Sequence, residues 1–189
     1  MIELPNEDRQ TLAQKFKHLG FKVGVEVGVE QGKYAKVLCE ENPGVKLYCV
    51  DPWLAYPGYR EHVSQTKLNR FYEATVQLLE PYDVGFIRET SLKAAEGFAD
   101  GSLDFVYIDA NHEFSHVVAD IVSWLPKIRK GGIISGHDYI RKKNSNFGVV
   151  EAVDGYTKAY GIEDWFVLGR KERIEGERRD RSRSWYWHV

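Results

Sequence analysis

The stretch 103–139 confines this chain to few architectures, because two short apolar runs there each end in a polar cluster, with a helical pattern between them. Leu103-Asp104-Phe105-Val106-Tyr107-Ile108 is β-branched and aromatic and reads as a buried strand that stops at Asp109. Gly132-Ile133-Ile134-Ser135-Gly136 reads the same way and stops at His137-Asp138. Between them Phe114, Val117, Val118, Ile121, Val122 and Leu125 recur at helical spacing as an apolar face for the sheet, until Pro126 and Gly131-Gly132 end the helix. A right-handed crossover makes the two strands parallel, so Asp109 and His137-Asp138 leave the sheet at one edge. In open α/β sheets ligands bind at that carboxyl edge.

The N-terminal half supplies a second strand-turn-helix unit. Leu12, Ala13, Phe16 and Leu19 make 6–19 an amphipathic helix, a lid or packing helix that Gly20 ends. Residues 23–29 alternate too little for a solvent-facing strand and read as a central one. That strand runs into Glu26-Val27-Gly28-Val29-Glu30-Gln31-Gly32, and Tyr34, Ala35, Val37 and Leu38 follow at helical spacing. Strand, glycine turn and helix suit a nucleotide site, because a glycine admits a ligand that a β-carbon would exclude. The spacing is E-x-G-x-x-x-G, not the G-x-G-x-x-G of a dinucleotide fingerprint. The next strand, 46–50, ends at Asp51, placed either to accept from ribose hydroxyls or as a turn residue before Pro52.

Residues 53–62 hold Trp53, Tyr56, Pro57, Gly58 and Tyr59, which either close over a ligand or pack down on the sheet. Leu68, Phe71, Tyr72, Thr75 and Leu79 mark a helix that Pro81 stops; a strand at 84–88 then leaves Thr90-Ser91 at its end, where an adenine or ribose edge is in reach. A short helix is expected at 92–98, a polar and basic flap at 140–147, a helix carrying Val149, Val153 and Tyr156, and strands at 165–168 and 185–189. The segment 170–183 carries seven basic and four acidic residues and reads as a charged hairpin extension or, more sharply, a docking surface for an anionic acceptor or RNA. No aromatics interleave its arginines, which weakens the nucleic-acid reading.

A chain of 189 residues, 43% hydrophobic, fits a single domain over 1–189 with 1–20 as an N-terminal helix. The acidic N-terminus and the lack of a spanning apolar stretch give the expectation of a cytoplasmic protein with no membrane partner. A net charge of -2 makes no global case for nucleic acid. Cys39 and Cys49 sit in a helix and a strand pattern and read as small buried hydrophobes. Trp185, Tyr186 and Trp187, expected on an edge pair, are a candidate interface for a homo-oligomer.

Val25-Glu26-Val27-Gly28 with Gly32, Val50-Asp51-Pro52-Trp53, and the block from Ser102 through Asp109-Ala110-Asn111-His112, Asp120 and Trp124 to His137-Asp138-Tyr139 together resemble class I S-adenosylmethionine-dependent methyltransferases. The resemblance is to the small bacterial type grouped with macrocin and cephalosporin-biosynthesis O-methyltransferases, methyltransferase family 24. It implies an α/β, Rossmann-like, seven-stranded mostly parallel sheet with an antiparallel last strand and helices on both faces. It also implies S-adenosyl-L-methionine as cofactor. Glu26, Gly28 and Gly32 would surround its methionine part, Asp51 would hold the ribose, and Thr90 and Ser91 would lie near the adenine. Tyr34, Trp53 and Asp109 would line the same site. By the same resemblance Asp109, His137 and Asp138 would bind Mg2+ or another divalent cation, with His112 a general base and Asp109 beside it. His137 stands where an acidic or amide ligand is more usual, and magnesium prefers oxygen.

Methyl transfer from a sulfonium needs a positioned acceptor and a destination for its proton. A cation on Asp109 and Asp138 would acidify a hydroxyl, and His112, with an ordinary pKa near ~6.5, could take the proton. The plainer roles are helix capping for His112 and strand-end capping for Asp109. The expectation is O-methylation of a small or sugar-like acceptor. A catalytically silent cofactor-binding or scaffolding protein of the same fold, and a nicotinamide-dependent oxidoreductase, stand as alternatives. A His-Asp phosphohydrolase carries its pair on helices, against a pair that ends a strand.

Overall fold

The computed structural model describes residues 1–56, 64–143, 145–171 and 182–189, and places eight strands of these in one sheet. The strands are β1 (Ile2–Leu4), β2 (Val23–Val27), β3 (Lys46–Val50), β4 (Val84–Ile87), β5 (Leu103–Ile108), β6 (Ile128–Gly136), β7 (Trp165–Leu168) and β8 (Ser184–His188). The helices are α1 (Arg9–His18), α2 (Lys33–Glu41), α3 (Gln65–Leu79), α4 (Ser91–Ala95), α5 (Phe114–Trp124) and α6 (Val149–Ala159). Spatial order is β1-β7-β8-β6-β5-β2-β3-β4, parallel throughout except where β8 pairs with β6 and β7. This is the Rossmann-like sheet with an antiparallel last strand. Among the described residues no helix is long and apolar enough to cross a membrane.

The strand count is eight rather than the expected seven. Ile2-Glu3-Leu4 is too short to show a period, and only its parallel pairing with β7 makes it a strand. The expected interface is also altered. β8 is inserted between β6 and β7 and so lies inside the sheet, and Trp185, Tyr186 and Trp187 are buried at 1%, 1% and 2% exposure instead of forming an exposed patch. Cys39 and Cys49 are buried free thiols. On α5 the buried face is Val117, Asp120, Ile121 and Trp124, whereas Phe114 and Val122 turn outward, each about half exposed. The apolar pattern of that helix was wider than the stripe the sheet accepts.

α1 is fixed at both ends. Asp8 accepts from the Thr11 backbone N–H at 2.9 Å while the Thr11 hydroxyl accepts from the Asp8 N–H at 2.9 Å, a capping box that makes Arg9 the first helical residue. Its apolar face reaches the sheet through a gap: a β-carbon on Gly24 of β2 would fall 2.1 Å from the Phe105 ring, which lies across that position. Phe105 in turn stacks on Phe16 of α1, with centroids 4.2 Å apart. The N-terminus of α1 is thereby held over the carboxyl rim of β2 by core packing.

Trp187→Ala is expected to lower the free energy of unfolding by about 3–5 kcal/mol, the cost of emptying a buried indole site. Urea denaturation measures it. A loss below about 1 kcal/mol would return the side chain to the surface role.

Candidate active site

Each strand that borders the site carries its hydrogen-bond ladder one residue past the strand end. Asp51 N–H donates to Ile87 O at 3.2 Å, Gly28 to Val50 O at 2.8 Å, Asp109 to Val27 O at 2.7 Å and His137 to Ile108 O at 3.0 Å. Gly28, Asp51, Asp109, His137 and Asp138 consequently line one cavity of about 250 Å3, together with Glu26 and Tyr34. A second cavity of about 450 Å3 adjoins it, and Asp51 and Ala110 line both. Trp53, Thr90 and Ser91 line this larger, more apolar one with Leu54, Leu68 and Leu92. Residues 53–56 of the expected closing loop are placed, with Tyr56 in the cavity wall; 57–62 lie outside the described residues.

The Asp51 carboxylate organises the turn between β2 and α2. One oxygen accepts from Val29 N–H and Glu30 N–H at 3.1 and 3.0 Å, and the other from Trp53 N–H at 2.7 Å. Burial raises its pKa, and those three donors oppose the rise. Both glycines of the turn have left-handed φ, +88° for Gly28 and +68° for Gly32. The space their missing β-carbons would need is taken by protein: a methyl on Gly28 would lie 2.2 Å from Asp109 O, and one on Gly32 2.7 Å from Thr75. Gly32 does not line either cavity; it is the N-cap of α2. The glycine spacing thus reflects close loop packing, not only room for a ligand.

Among the described residues three non-glycines have positive φ, Glu30 at 48°, Trp53 at 42° and Asp138 at 57°, and all three border these cavities. Such conformations cost roughly 1–3 kcal/mol each and persist where surrounding contacts over-determine them. For Trp53 the contacts are an indole N–H donated to Glu30 O at 2.8 Å and a ring packed on Tyr72.

At the other end of the smaller cavity, Asp109, His137 and Asp138 each offer a donor atom within 4.8 Å of the others. His112 Nε2 lies 3.2 Å from Asp109 and 2.9 Å from Asp138, so the imidazole bridges two carboxylates. Burial disfavours its charge, but the two hydrogen bonds outweigh that and push its pKa up to about 9. Asp138 is held well below the ordinary carboxylate range: burial raises it, while hydrogen bonds from His112 and Ser182 and the nearby imidazoles lower it more. The expected base at His112 is therefore an imidazolium at neutral pH in this arrangement. Phe147 stacks on its ring at 4.7 Å and Glu113 bridges to Phe147, which joins the far end of the expected flap at 140–147 to the site. Asn144 of that flap, and 172–181 of the charged extension, lie outside the described residues.

Three further residues belong to the site. Glu26 is 2% exposed, its Oε2 has no hydrogen-bond partner, and burial followed by repulsion from Asp109 raises its pKa strongly. Its place was expected; its missing partner was not. Arg9, from α1, lines the same cavity and is the charge that opposes that rise. Asp120 lines the larger cavity, where the Ser91 hydroxyl donates to it at 2.5 Å and the Trp124 indole N–H donates to Ser91 at 2.9 Å. Burial pushes the Asp120 carboxyl up to about 6, against the Ser91 hydrogen bond and His116. An aspartate amid Val117, Ile121 and Trp124 was a legible signal, since a carboxylate on an apolar face needs a reason.

Residues 25–139 match the model of a methyltransferase-domain family, and the chain belongs to that family, on a Rossmann-like sheet. A 63-residue stretch is 30% identical to the uncharacterized protein y4gI of Sinorhizobium fredii, covering 33% of this chain; the chain spans about 7% of that protein's length. Similar solved structures include the O-methyltransferase TomG of Streptomyces achromogenes, in complex with SAM, at TM-score 0.65 and 14% identity over 96% of this chain and 79% of that one. An O-methyltransferase of Bacillus cereus in complex with SAH superposes at 0.64 with 17% identity over 98% and 84%. A putative rRNA-methylase of Clostridium thermocellum reaches 0.62 with 11% identity over 97% and 98%. At these identities the likeness is one of fold.

The His112 pairing has a pH signature. Its folded pKa, about 9, lies above the unfolded ~6.5, so the stabilisation is complete below about pH 6.5 and is lost as pH rises through about 9. The stability advantage of the wild type over His112→Gln in urea should shrink by on the order of 3 kcal/mol between pH 6 and pH 9.5. A constant difference would show that the imidazole is not charged at neutral pH.

Proposed function

We propose that this chain transfers the methyl group of S-adenosylmethionine to a hydroxyl of a small or sugar-like acceptor, with a divalent cation held by Asp109, His137 and Asp138. The observation that carries the reading is a pair of adjoining cavities that share Asp51, with an acid-histidine cluster at the far end of the polar one. An adenosyl group suits the larger, apolar cavity, beside Trp53, Thr90 and Ser91. A ribose would then sit at Asp51, whose carboxylate faces both spaces, and an amino-acid end would reach Glu26, Gly28 and Tyr34. Gly32 would act through the turn and α2.

The donor set fits a cation. Two carboxylates and one imidazole within 4.8 Å suit a divalent transition ion better than magnesium, because of the nitrogen ligand. Such an ion supplies Lewis acidity that lowers the pKa of a bound hydroxyl. The chain's own part is proton handling. Once Asp109 and Asp138 are otherwise engaged, His112 loses the pairing that keeps it charged, and Nε2 returns toward its ordinary range and can take the acceptor proton. The methyl–sulfur bond breaks as the methyl–oxygen bond forms, the proton passes to His112, and S-adenosylhomocysteine is left.

Space for an acceptor adjoins this cluster. Ser182 hydrogen-bonds Asp138 and also lines a cavity of about 510 Å3 on the same rim, beyond Tyr139, with Arg141 and Arg183 in its wall. The reading treats 1–189 as one catalytic unit, since β1 and β8, from opposite ends of the chain, flank β7 in the same sheet.

Calorimetric titration with S-adenosylhomocysteine tests the cofactor assignment. Asp51→Asn should weaken binding by about tenfold or more, as expected for a charged hydrogen-bond acceptor; equal heats from both proteins would remove the pocket. Separately, Mn2+ titration followed by electron paramagnetic resonance should show one site in the wild type and a loss of about tenfold or more in affinity in Asp138→Asn. Unchanged Mn2+ affinity would drop the ion from the proposal.

A further inference from the structure

The smaller cavity poses an electrostatic problem for an amino-acid ligand. Among the described residues that line it are five acids, Glu26, Glu30, Asp51, Asp109 and Asp138, against two permanent cations, Arg9 and Lys33, and the His112 imidazole that already bridges Asp109 and Asp138. The ammonium and sulfonium of the cofactor are served by the acids. Its carboxylate enters against them, and in a partly enclosed site that repulsion is not screened as in water.

We infer that Arg9, assisted by Lys33, binds the carboxylate of the cofactor's methionine moiety, while the unpartnered oxygen of Glu26 faces its ammonium. This rests on the cofactor reading above and adds a residue outside the matched stretch 25–139. Three features of the structure support it. Arg9 and Glu26 line the same cavity and are close enough for the charge of one to act on the other. The guanidinium is held in place, 5.2 Å above the Tyr34 ring, and the Tyr34 hydroxyl donates to Arg9 O at 2.8 Å. Lys33 is the first residue of α2, at the positive end of that helix. A zwitterion laid between Glu26 and Arg9 thus meets a carboxylate and a cation in complementary order, and α1 becomes part of the cofactor site, not only a packing helix.

The test compares two ligands that differ by one group: S-adenosylhomocysteine and its decarboxylated analogue, which keeps the ammonium. Arg9→Gln should weaken S-adenosylhomocysteine roughly 10- to 100-fold, the range for a charge-assisted hydrogen bond to carboxylate, and leave the analogue within about twofold of wild type. Arg9→Lys should restore part of the loss, and Lys33→Gln should cost less than Arg9→Gln. Unchanged S-adenosylhomocysteine affinity in Arg9→Gln overturns the inference. An equal loss for both ligands also overturns it, because Arg9 would then be supporting the fold of α1. If neither ligand binds the wild type, the cofactor reading itself fails and takes this inference with it.

Discussion

The site depends on four backbone hydrogen bonds that extend parallel ladders just past the ends of β2, β3, β5 and β6. They fix the residues after the strands, Gly28, Asp51, Asp109 and His137, in one row, although 109 positions separate the first from the last along the chain. Parallel pairing makes this possible, since only strands running the same way present their carboxyl ends at one rim. The arrangement is also brittle. A slip of one residue in any of these strands would turn every side chain to the other face and take a carboxylate out of the cavity. Burial on both sides of the sheet, with Val25, Val50, Val106 and Ile134 on one face and Leu47, Cys49, Phe105 and Ile133 on the other, leaves no alternative register that keeps the core intact.

Charge then decides what the row can do. Two carboxylates at its end are bridged by the His112 imidazole, and their hydrogen bonds push its pKa up to about 9, so the proposed base carries its proton in this arrangement. The same two carboxylates are the ones a cation would claim. If, as proposed, a cation takes those carboxylates, the readiness of His112 would follow occupancy of the site more than bulk pH. The left-handed backbone at Asp138, just past the end of β6, belongs to this arrangement, and its carboxylate lies 2.9 Å from His112.

The β-α-β unit and the convergence of Gly28, Asp51, Asp109 and Asp138 were legible because apolar runs ending in polar residues report strand ends directly. What was not legible depended on partners far along the chain. Ile2-Glu3-Leu4 becomes a strand only through β7, and Trp185 and Trp187, expected on an edge pair, are buried because β8 inserts between β6 and β7. Phe114 and Val122 follow a helical period and still face outward, since a period fixes a face but not its width. Arg9 gave no signal: an arginine at the start of an amphipathic helix is ordinary, and only the stacking of Phe16 on Phe105 brings it to the rim. Asp120 did give one, as a carboxylate on an apolar face.

That stacking connects the core to the chemistry. Phe105 can lie flat across β2 only because Gly24 has no side chain, and α1 can approach only because Phe105 offers it a flat surface. The capping box at Asp8 then sets where the helix begins, and so which residue stands at the cavity. A guanidinium already set against the Tyr34 ring on an anchored helix end has less freedom left to lose when a carboxylate binds there. The same reasoning ties Gly24 to the site, though it lies within β2 and lines neither of the two adjoining cavities: a β-carbon there would fall 2.1 Å from the Phe105 ring, the surface on which Phe16 of α1 stacks.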